Sequence, residues 1–205
     1  MFADLSFRLL LVSNLIAIAS AVIFRWSMAD LMFLYWGQSV IIGFFQFLKI
    51  LDLENFSTEG FKINGQPTEP THSTKVFTAY FFLLHYGFFH LVYLFFILIK
   101  PPDLLGAVPL QIVFLFNHTY SYILNRDRDK LVRKNIGTVM FAPYVRIIPM
   151  HLVIGMAQNF TSIIPITLFQ VLKTLADLIG HRIDRSLSSP SSTSVQTPQT
   201  PAHLS

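Results

Sequence analysis

The chain has 205 residues, of which 53% are hydrophobic and only 13% are charged, with a net charge of +4 and no cysteine. Soluble domains carry about 25% charged residues, so this composition leaves too little charge to coat a water-facing surface. The excess of apolar residues therefore predicts an integral membrane protein. The absence of cysteine excludes disulfides, thiolate catalysis and cysteine-ligated metal. We expect the lipid bilayer as a partner and no nucleic acid, because basic residues of membrane proteins normally lie in cytoplasmic loops.

Six segments are apolar enough to be membrane spans, since a helix needs about 20 mostly apolar residues to cross the hydrocarbon core. The predicted spans are residues 5–24, 31–51, 76–99, 108–124, 144–158 and 163–180. The sequence thus predicts an all-α, polytopic transmembrane helix bundle. Residues 1–185 form its membrane domain, and residues 186–205, rich in Ser, Thr, Pro and Gln, are expected to be a disordered tail.

Two alternatives to this arrangement stay open. Pro149 and Pro165 interrupt the last two spans, so a four-span core with two re-entrant or peripheral segments is the competing arrangement. The first span resembles a signal peptide at Ala19-Ser20-Ala21, but the residues before its apolar core include both Asp4 and Arg8 and so lack a clear positive region. An uncleaved first span is therefore the favoured interpretation.

The distribution of basic residues predicts the orientation, because Lys and Arg concentrate in cytoplasmic loops. With six spans, one side of the membrane holds only Arg25 and Lys100. The other side holds Arg8, Lys49, Lys62, Lys75, Arg126, Arg128, Lys130, Arg133, Lys134, Arg182 and Arg185. Both termini are therefore predicted to be cytoplasmic, in a multi-pass protein of the cell inner (cytoplasmic) membrane. The charged run 126–130 is expected to end the fourth span.

Histidines lie near the middle of three predicted spans: His85 and His90 in the third, His118 in the fourth and His151 in the fifth. Neutral imidazole is the commonest metal ligand and also holds haem iron. These residues therefore form a candidate site for a metal ion or haem of open identity. His85 and His90 are about 140° apart around a helix, so each needs partners from other helices. The alternative is that each His hydrogen-bonds to a neighbouring helix.

The sixth span has a polar face, because Lys173, Asp177 and His181 recur every four residues. Arg146 lies at a similar depth in the fifth span, so we predict an Arg146–Asp177 ion pair, with Lys173 as the alternative partner of Asp177.

Gln38 in the second span and Tyr86, which shares a helix face with His90, complete the predicted intramembrane polar network. The sequence has no Gly-rich phosphate loop with Lys, no His-Glu-x-x-His and no Gly-x-Ser-x-Gly. Whether the chain is an enzyme stays open.

Three segments carry a resemblance to a known family: Tyr35-Trp36-Gly37-Gln38-Ser39-Val40-Ile41-Ile42-Gly43, His85-Tyr86-Gly87-Phe88-Phe89-His90 and Arg146-Ile147-Ile148-Pro149-Met150-His151. They resemble uncharacterised multi-pass membrane proteins of bacteria and archaea, catalogued as a domain of unknown function. The resemblance extends over residues 5–182 and implies a membrane location and prokaryotic origin, without an activity. That family has Glu-Asn where this chain has Gln38-Ser39, which implies that any ligand or proton-carrying role of the Glu is lost or neutralised here.

Three functions are consistent with these residues. The first is a membrane protein of unknown activity with a polar, His-rich interior that binds a metal or haem. The second is a small proton-coupled transporter that uses Arg146, Lys173 and Asp177. The third is a structural or accessory membrane subunit, with protein partners unknown.

Overall fold

The computed structural model describes residues 23, 26–99, 101–148, 171–180 and 182–183. Three long helices dominate this part of the chain: α1 (Met28–Leu51), α2 (His72–Ile99) and α3 (Leu104–Leu131). A short helix, α4 (Ile136–Phe141), follows. Residues 144–148 and 171–180 are also helical. The described residues are therefore mostly helical, which confirms the predicted helical class.

Three of the predicted spans, the second, third and fourth, can be compared directly with helices. The second and third spans correspond to α1 and α2, and within these helices Ala29–Leu51 and His72–Ile99 are long and apolar enough to cross a membrane. Apart from Ile23, the first predicted span lies outside the described residues, as do most of the fifth and the first part of the sixth. The predicted tail 186–205 also lies outside them.

The start of α1 is defined by a capping box. The Ser27 hydroxyl accepts a hydrogen bond from the Asp30 backbone N–H at 3.2 Å, and the Asp30 carboxylate accepts one from the Ser27 N–H at 2.7 Å. The other Asp30 oxygen accepts from the Asp103 N–H at 2.6 Å. Since Asp103 is the N-cap of α3, one carboxylate ties together the starts of both helices.

Helix α3 is longer than the predicted fourth span. It begins at Leu104 and continues through the charged run 126–130, which was expected to end it. The physical reason is that a run of charged residues does not by itself end a helix, because Arg and Lys are good helix formers. Ion pairs also hold this extension in place: Arg126 contacts Asp52, and Lys130 contacts Glu54.

Four two-residue strands correct the all-α prediction in the segments between helices. They are β1 (Phe56–Ser57), β2 (Lys62–Ile63), β3 (Gln66–Pro67) and β4 (Lys134–Asn135). Strands β2 and β3 pair as an antiparallel hairpin, and β1 pairs parallel with β4. The hairpin turn is Asn64-Gly65, with φ values of 52° and 79°. Positive φ at both central residues is the requirement of a tight hairpin turn, which Asn-Gly meets at low cost.

Helix α1 lies against both α2 and α3, and two of its glycines mark the closest approaches. A Cβ at Gly43 would lie 2.4 Å from Cε1 of Tyr86 on α2. A Cβ at Gly37 would lie 2.3 Å from Nε2 of Gln111 on α3, whose amide donates to the Phe33 carbonyl at 2.9 Å. Because glycine has no side chain, Tyr86 and Gln111 can both reach the α1 backbone.

The outer faces of α2 and α3 carry large apolar side chains in open contact with the surroundings. Leu84 and Phe95 of α2 are 73% and 70% exposed, and Phe116 of α3 is 71% exposed. Isolated exposed apolar residues are ordinary, but a soluble monomer rarely shows a continuous apolar face of this kind.

We predict that Gly43→Ala destabilises the protein by about 1–3 kcal/mol, because the added methyl group overlaps the buried Tyr86 ring. The matched control is Gly87→Ala on α2, where an added Cβ meets nothing within 4 Å. That change should be neutral or stabilising by up to about 1 kcal/mol. The measurement is the unfolding midpoint of both variants in detergent. Equal midpoints would contradict the close packing of α1 and α2.

Candidate functional site

Tyr86 is the centre of a buried polar cluster between α1 and α2. Its side chain is 4% exposed, and its hydroxyl lies 2.7 Å from Ser39 Oγ. The same hydroxyl donates to the Ser39 carbonyl oxygen at 3.1 Å. Ser39 therefore provides both partners for the Tyr86 hydroxyl, which would otherwise lose its hydrogen bonds on burial.

His90 extends this cluster by one helical turn. Its ring stacks on Tyr86 with centroids 4.3 Å apart, and its Nδ1 lies 2.8 Å from the Tyr86 carbonyl oxygen. Since a carbonyl oxygen only accepts, Nδ1 is the nitrogen that carries the hydrogen in this contact. The Trp36 indole of α1 donates to the His90 carbonyl at 2.8 Å. His90 is thus held by contacts to both helices.

His85 and His118, the other predicted ligands among the described residues, occupy different surroundings. His85 is exposed on α2, where its Nδ1 lies 2.7 Å from the Tyr144 hydroxyl and its ring stacks on Phe81. The His118 ring of α3 stacks on the Phe114 ring with centroids 4.1 Å apart, and its centroid lies 6.2 Å from that of the Phe45 ring. Each of these imidazoles therefore sits mainly against aromatic rings.

The residues of the predicted metal or haem site are consequently spread over separate places. Across the part of the chain that the structure describes, no three His, Asp or Glu side chains lie close enough together to hold a metal ion. His151, the fourth predicted ligand, lies outside the described residues, as does His181 of the predicted polar face. The described geometry therefore does not bring His85, His90 and His118 together.

A second polar site joins the helical segment 171–180 to α1. Lys173 Nζ lies 2.6 Å from an Asp177 carboxylate oxygen and 4.6 Å from the centre of the Tyr35 ring. Asp177 and Tyr35 are each only 6% exposed. The ammonium group of Lys173 is thus enclosed between a buried carboxylate and an aromatic face, both of which favour a positive charge.

Arg146 lies close to this pair. A Cβ on Gly180 would lie 3.0 Å from Arg146 Nε, which places the guanidinium beside the turn that follows Asp177. Asp177 contacts Lys173 at 2.6 Å. Lys173 was the predicted alternative to Arg146 as the partner of Asp177. Gln38 is partly buried on α1 and has no side-chain hydrogen bond to the Tyr86 cluster within the described residues.

Tyr35, Trp36 and Ser39 are not among the residues predicted for the polar interior, yet each contributes a contact to it. The spacing of Tyr35, Ser39 and Gly43 is the signal that could have found Tyr35 and Ser39; no comparable spacing marks Trp36. These residues recur every four positions and so form one face of α1. On that face Tyr35 meets Lys173, whereas Ser39 and Gly43 both meet Tyr86.

A third polar site, also absent from the predicted set, lies where α1 and α3 end. Arg126 holds Asp52 in a two-pronged pair, with Nε 2.9 Å from Oδ2 and Nη2 2.8 Å from Oδ1. The Tyr122 hydroxyl donates to the same carboxylate. The hydrogen bond from Arg126 is the main reason that the pKa of Asp52 falls below its usual value, and the pKa of Arg126 rises in return. The pair links the C-cap of α1 to α3.

We predict that Asp52→Asn lowers the Tm by about 2–4 °C at neutral pH, because Arg126 and Tyr122 lose their charged acceptor. The folded-state pKa of Asp52 is lowered, so its contribution to stability is present above the unfolded value and is lost as pH falls through the folded value. The Tm difference between wild type and variant should therefore be constant above about pH 5, begin to shrink near pH 4 and disappear only at lower pH, where the folded-state carboxylate is protonated.

The control for this prediction is Asp127→Asn, which removes a neighbouring exposed carboxylate that pairs with no cation in the described residues. It should leave the Tm nearly unchanged. A difference for Asp52→Asn that persists at low pH would show that the ionised pair is not what stabilises the contact.

Comparisons with known proteins identify the family of this chain. No curated protein and no solved structure gives a significant match to this sequence. Residues 1–194 match a protein family described as "Family of unknown function (DUF6498)". Because this match covers nearly the whole chain, the protein belongs to the DUF6498 family of unknown function.

Proposed function

We propose that the chain is a multi-pass protein of the cytoplasmic membrane that acts as a small proton-coupled transporter. In this proposal it has six spans with both termini in the cytoplasm. The observation that carries the proposal is the buried Lys173–Asp177 pair, 2.6 Å apart, enclosed by Tyr35 and close to Arg146. Ionisable groups within membrane bundles are costly and mark solute or proton pathways more often than other positions do.

The exposed apolar faces of α2 and α3 support the membrane part of the proposal. Side chains such as Leu84 and Phe116 have no protein covering within the described residues. Exposure of apolar side chains to lipid hydrocarbon, unlike exposure to water, carries no free-energy cost. The strong excess of Lys and Arg on one side of a six-span arrangement supports the proposed orientation.

The chemistry of the pair supports the transport part. An ionised Asp177 neutralises Lys173, and protonation of that carboxylate would release the ammonium group. A solute with an anionic group then replaces the carboxylate as the partner of Lys173, so that the site exchanges one charge partner for another. One proton and one anionic group enter together, and the net charge of the site is conserved. Arg146 adds a second cation near the same turn.

The test is solute-dependent proton entry into vesicles that contain the purified protein and a pH-sensitive dye. Small organic anions, amino acids and inorganic anions are offered one at a time under an inward proton gradient. At least one anionic solute should drive proton entry by the wild type. Asp177→Asn should abolish that signal, because an amide cannot take up the proton.

Two controls separate lost transport from lost folding. Glu69→Gln removes an exposed carboxylate in the loop before α2 and should leave the flux unchanged. Asp177→Glu keeps an ionisable group and should retain part of it. Breaking a buried ion pair costs about 3–5 kcal/mol, so the Tm of Asp177→Asn has to be measured alongside. Wild-type vesicles that behave like empty vesicles with every solute would contradict the transport proposal.

A metal- or haem-binding interior built on His85, His90, His118 and His151 is the competing proposal. Metal analysis and an optical spectrum of the purified protein decide between the two, together with a His85→Ala/His151→Ala double variant. Stoichiometric metal or a Soret band that is lost in the double variant would favour the histidine site over the ion pair. The third proposal is a structural or accessory subunit. In that case single alanine substitutions lower the abundance of the protein without removing a separable activity.

A further inference from the structure

A small basic pocket lies where α1 ends and the extended part of α3 passes beside it. Its volume is about 50 Å³, which is room for several water-sized groups. Its ionisable lining consists of the cations Lys49, Arg126, Lys130 and Lys134 and the carboxylates Asp52 and Asp129. The pocket is therefore lined by twice as many cations as carboxylates.

Most of these charges already have partners. Arg126 pairs with Asp52 at 2.8 Å, Lys130 with Glu54 at 3.1 Å, and Lys134 with Asp129 at 3.0 Å. Lys49 is different, because no carboxylate among the described residues lies within 4.0 Å of its ammonium group. Even with Glu54 included, one positive charge is left over in the pocket, and Lys49 carries it.

The fixed pairs give the pocket a rigid shape. Lys134 is only 9% exposed and is held by Asp129, and the two-pronged Arg126–Asp52 contact fixes two further lining residues. The Gln46 amide donates to the Val139 carbonyl at 2.6 Å and so ties α1 to α4 within the pocket lining. An anion entering beside Lys49 would therefore meet cations that are already positioned.

The position of the pocket indicates what kind of anion it takes. Lys49 lies in the last turn of α1, directly before the Asp52 cap at which the apolar helix ends. In the proposed membrane arrangement this is the depth of the lipid headgroups, on the side that holds most of the basic residues. Basic pockets between helices on the cytoplasmic side bind anionic lipid headgroups.

We propose that this pocket binds the phosphoryl group of an anionic phospholipid, with Lys49 as the cation that recognises it. The inference rests on the membrane location in the proposed function and is independent of the transport activity. Free inorganic phosphate has the same chemistry, so the experiment has to separate the two sources. A zwitterionic lipid carries its own cation next to the phosphate and should bind more weakly.

The experiment measures binding of short-chain phosphatidylglycerol to the full chain in a neutral detergent, with short-chain phosphatidylcholine and inorganic phosphate as separate ligands. Wild type should bind phosphatidylglycerol saturably and in preference to phosphatidylcholine. Lys49→Gln should weaken that binding about fivefold, the contribution expected of one lysine near an anionic headgroup. Lys49→Arg keeps the charge and should restore most of it.

The matched control is Lys62→Gln, which removes an exposed lysine from the β2–β3 hairpin, outside the pocket. It should bind phosphatidylglycerol like the wild type. If inorganic phosphate alone binds as tightly and its binding also depends on Lys49, the phosphoryl site is supported and its ligand is the soluble ion. Equal binding of the two lipids, or equal affinities for Lys49→Gln and Lys62→Gln, would overturn the proposal. Because this readout is binding, it stays informative if no transport is found.

Discussion

The close approach of α1 to its two neighbours is the constraint on which the rest of the structure depends. Gly43 lets the Tyr86 ring lie against the α1 backbone, and Gly37 does the same for the Gln111 amide. At these distances the neighbouring side chains can reach backbone oxygens, so Tyr86 donates to the Ser39 carbonyl and Gln111 to the Phe33 carbonyl. Small residues at helix contacts commonly permit such packing in membrane bundles.

With α1 enclosed in this way, the polar groups of the bundle are turned towards it while the apolar groups face outwards. Asp30 ties α1 to the start of α3, Asp52 ties it to the end of α3, and Tyr35 faces Lys173. A buried polar group without a partner costs about 1–3 kcal/mol, so these contacts define one arrangement of the helices against alternatives. The same arrangement leaves Leu84 and Phe116 on the outside. The two proposed functional places, the Lys173–Asp177 pair and the basic pocket, both lie against α1.

Local sequence patterns were sufficient to predict part of the fold and of the candidate site, but they did not predict the extension of α3 or the separation of the histidines. The lengths of the apolar segments predicted helices α1 and α2. The four-residue spacing of Lys173 and Asp177 predicted their contact as the alternative to an Arg146–Asp177 ion pair. The extension of α3 forms ion pairs with Asp52 and Glu54, which are distant in the sequence, so the charged run alone was misleading. Similar depth in the membrane suggested a histidine cluster, but depth does not fix the rotation of each helix. His85 and His90 consequently face different neighbours, as their spacing of five residues indicates.

The most direct test of the proposed membrane arrangement is the side of the membrane on which each end of α2 lies. The chain has no cysteine, so single reporters can be introduced as Lys62→Cys in the hairpin before α2 and Pro101→Cys after it. Both are labelled with a membrane-impermeant maleimide in intact cells and in inside-out vesicles. If α2 spans the membrane in the proposed orientation, Pro101→Cys is labelled in intact cells only and Lys62→Cys in inside-out vesicles only. Labelling of both positions from the same side, or recovery of the chain in the soluble fraction, would contradict a helix α2 that spans the membrane.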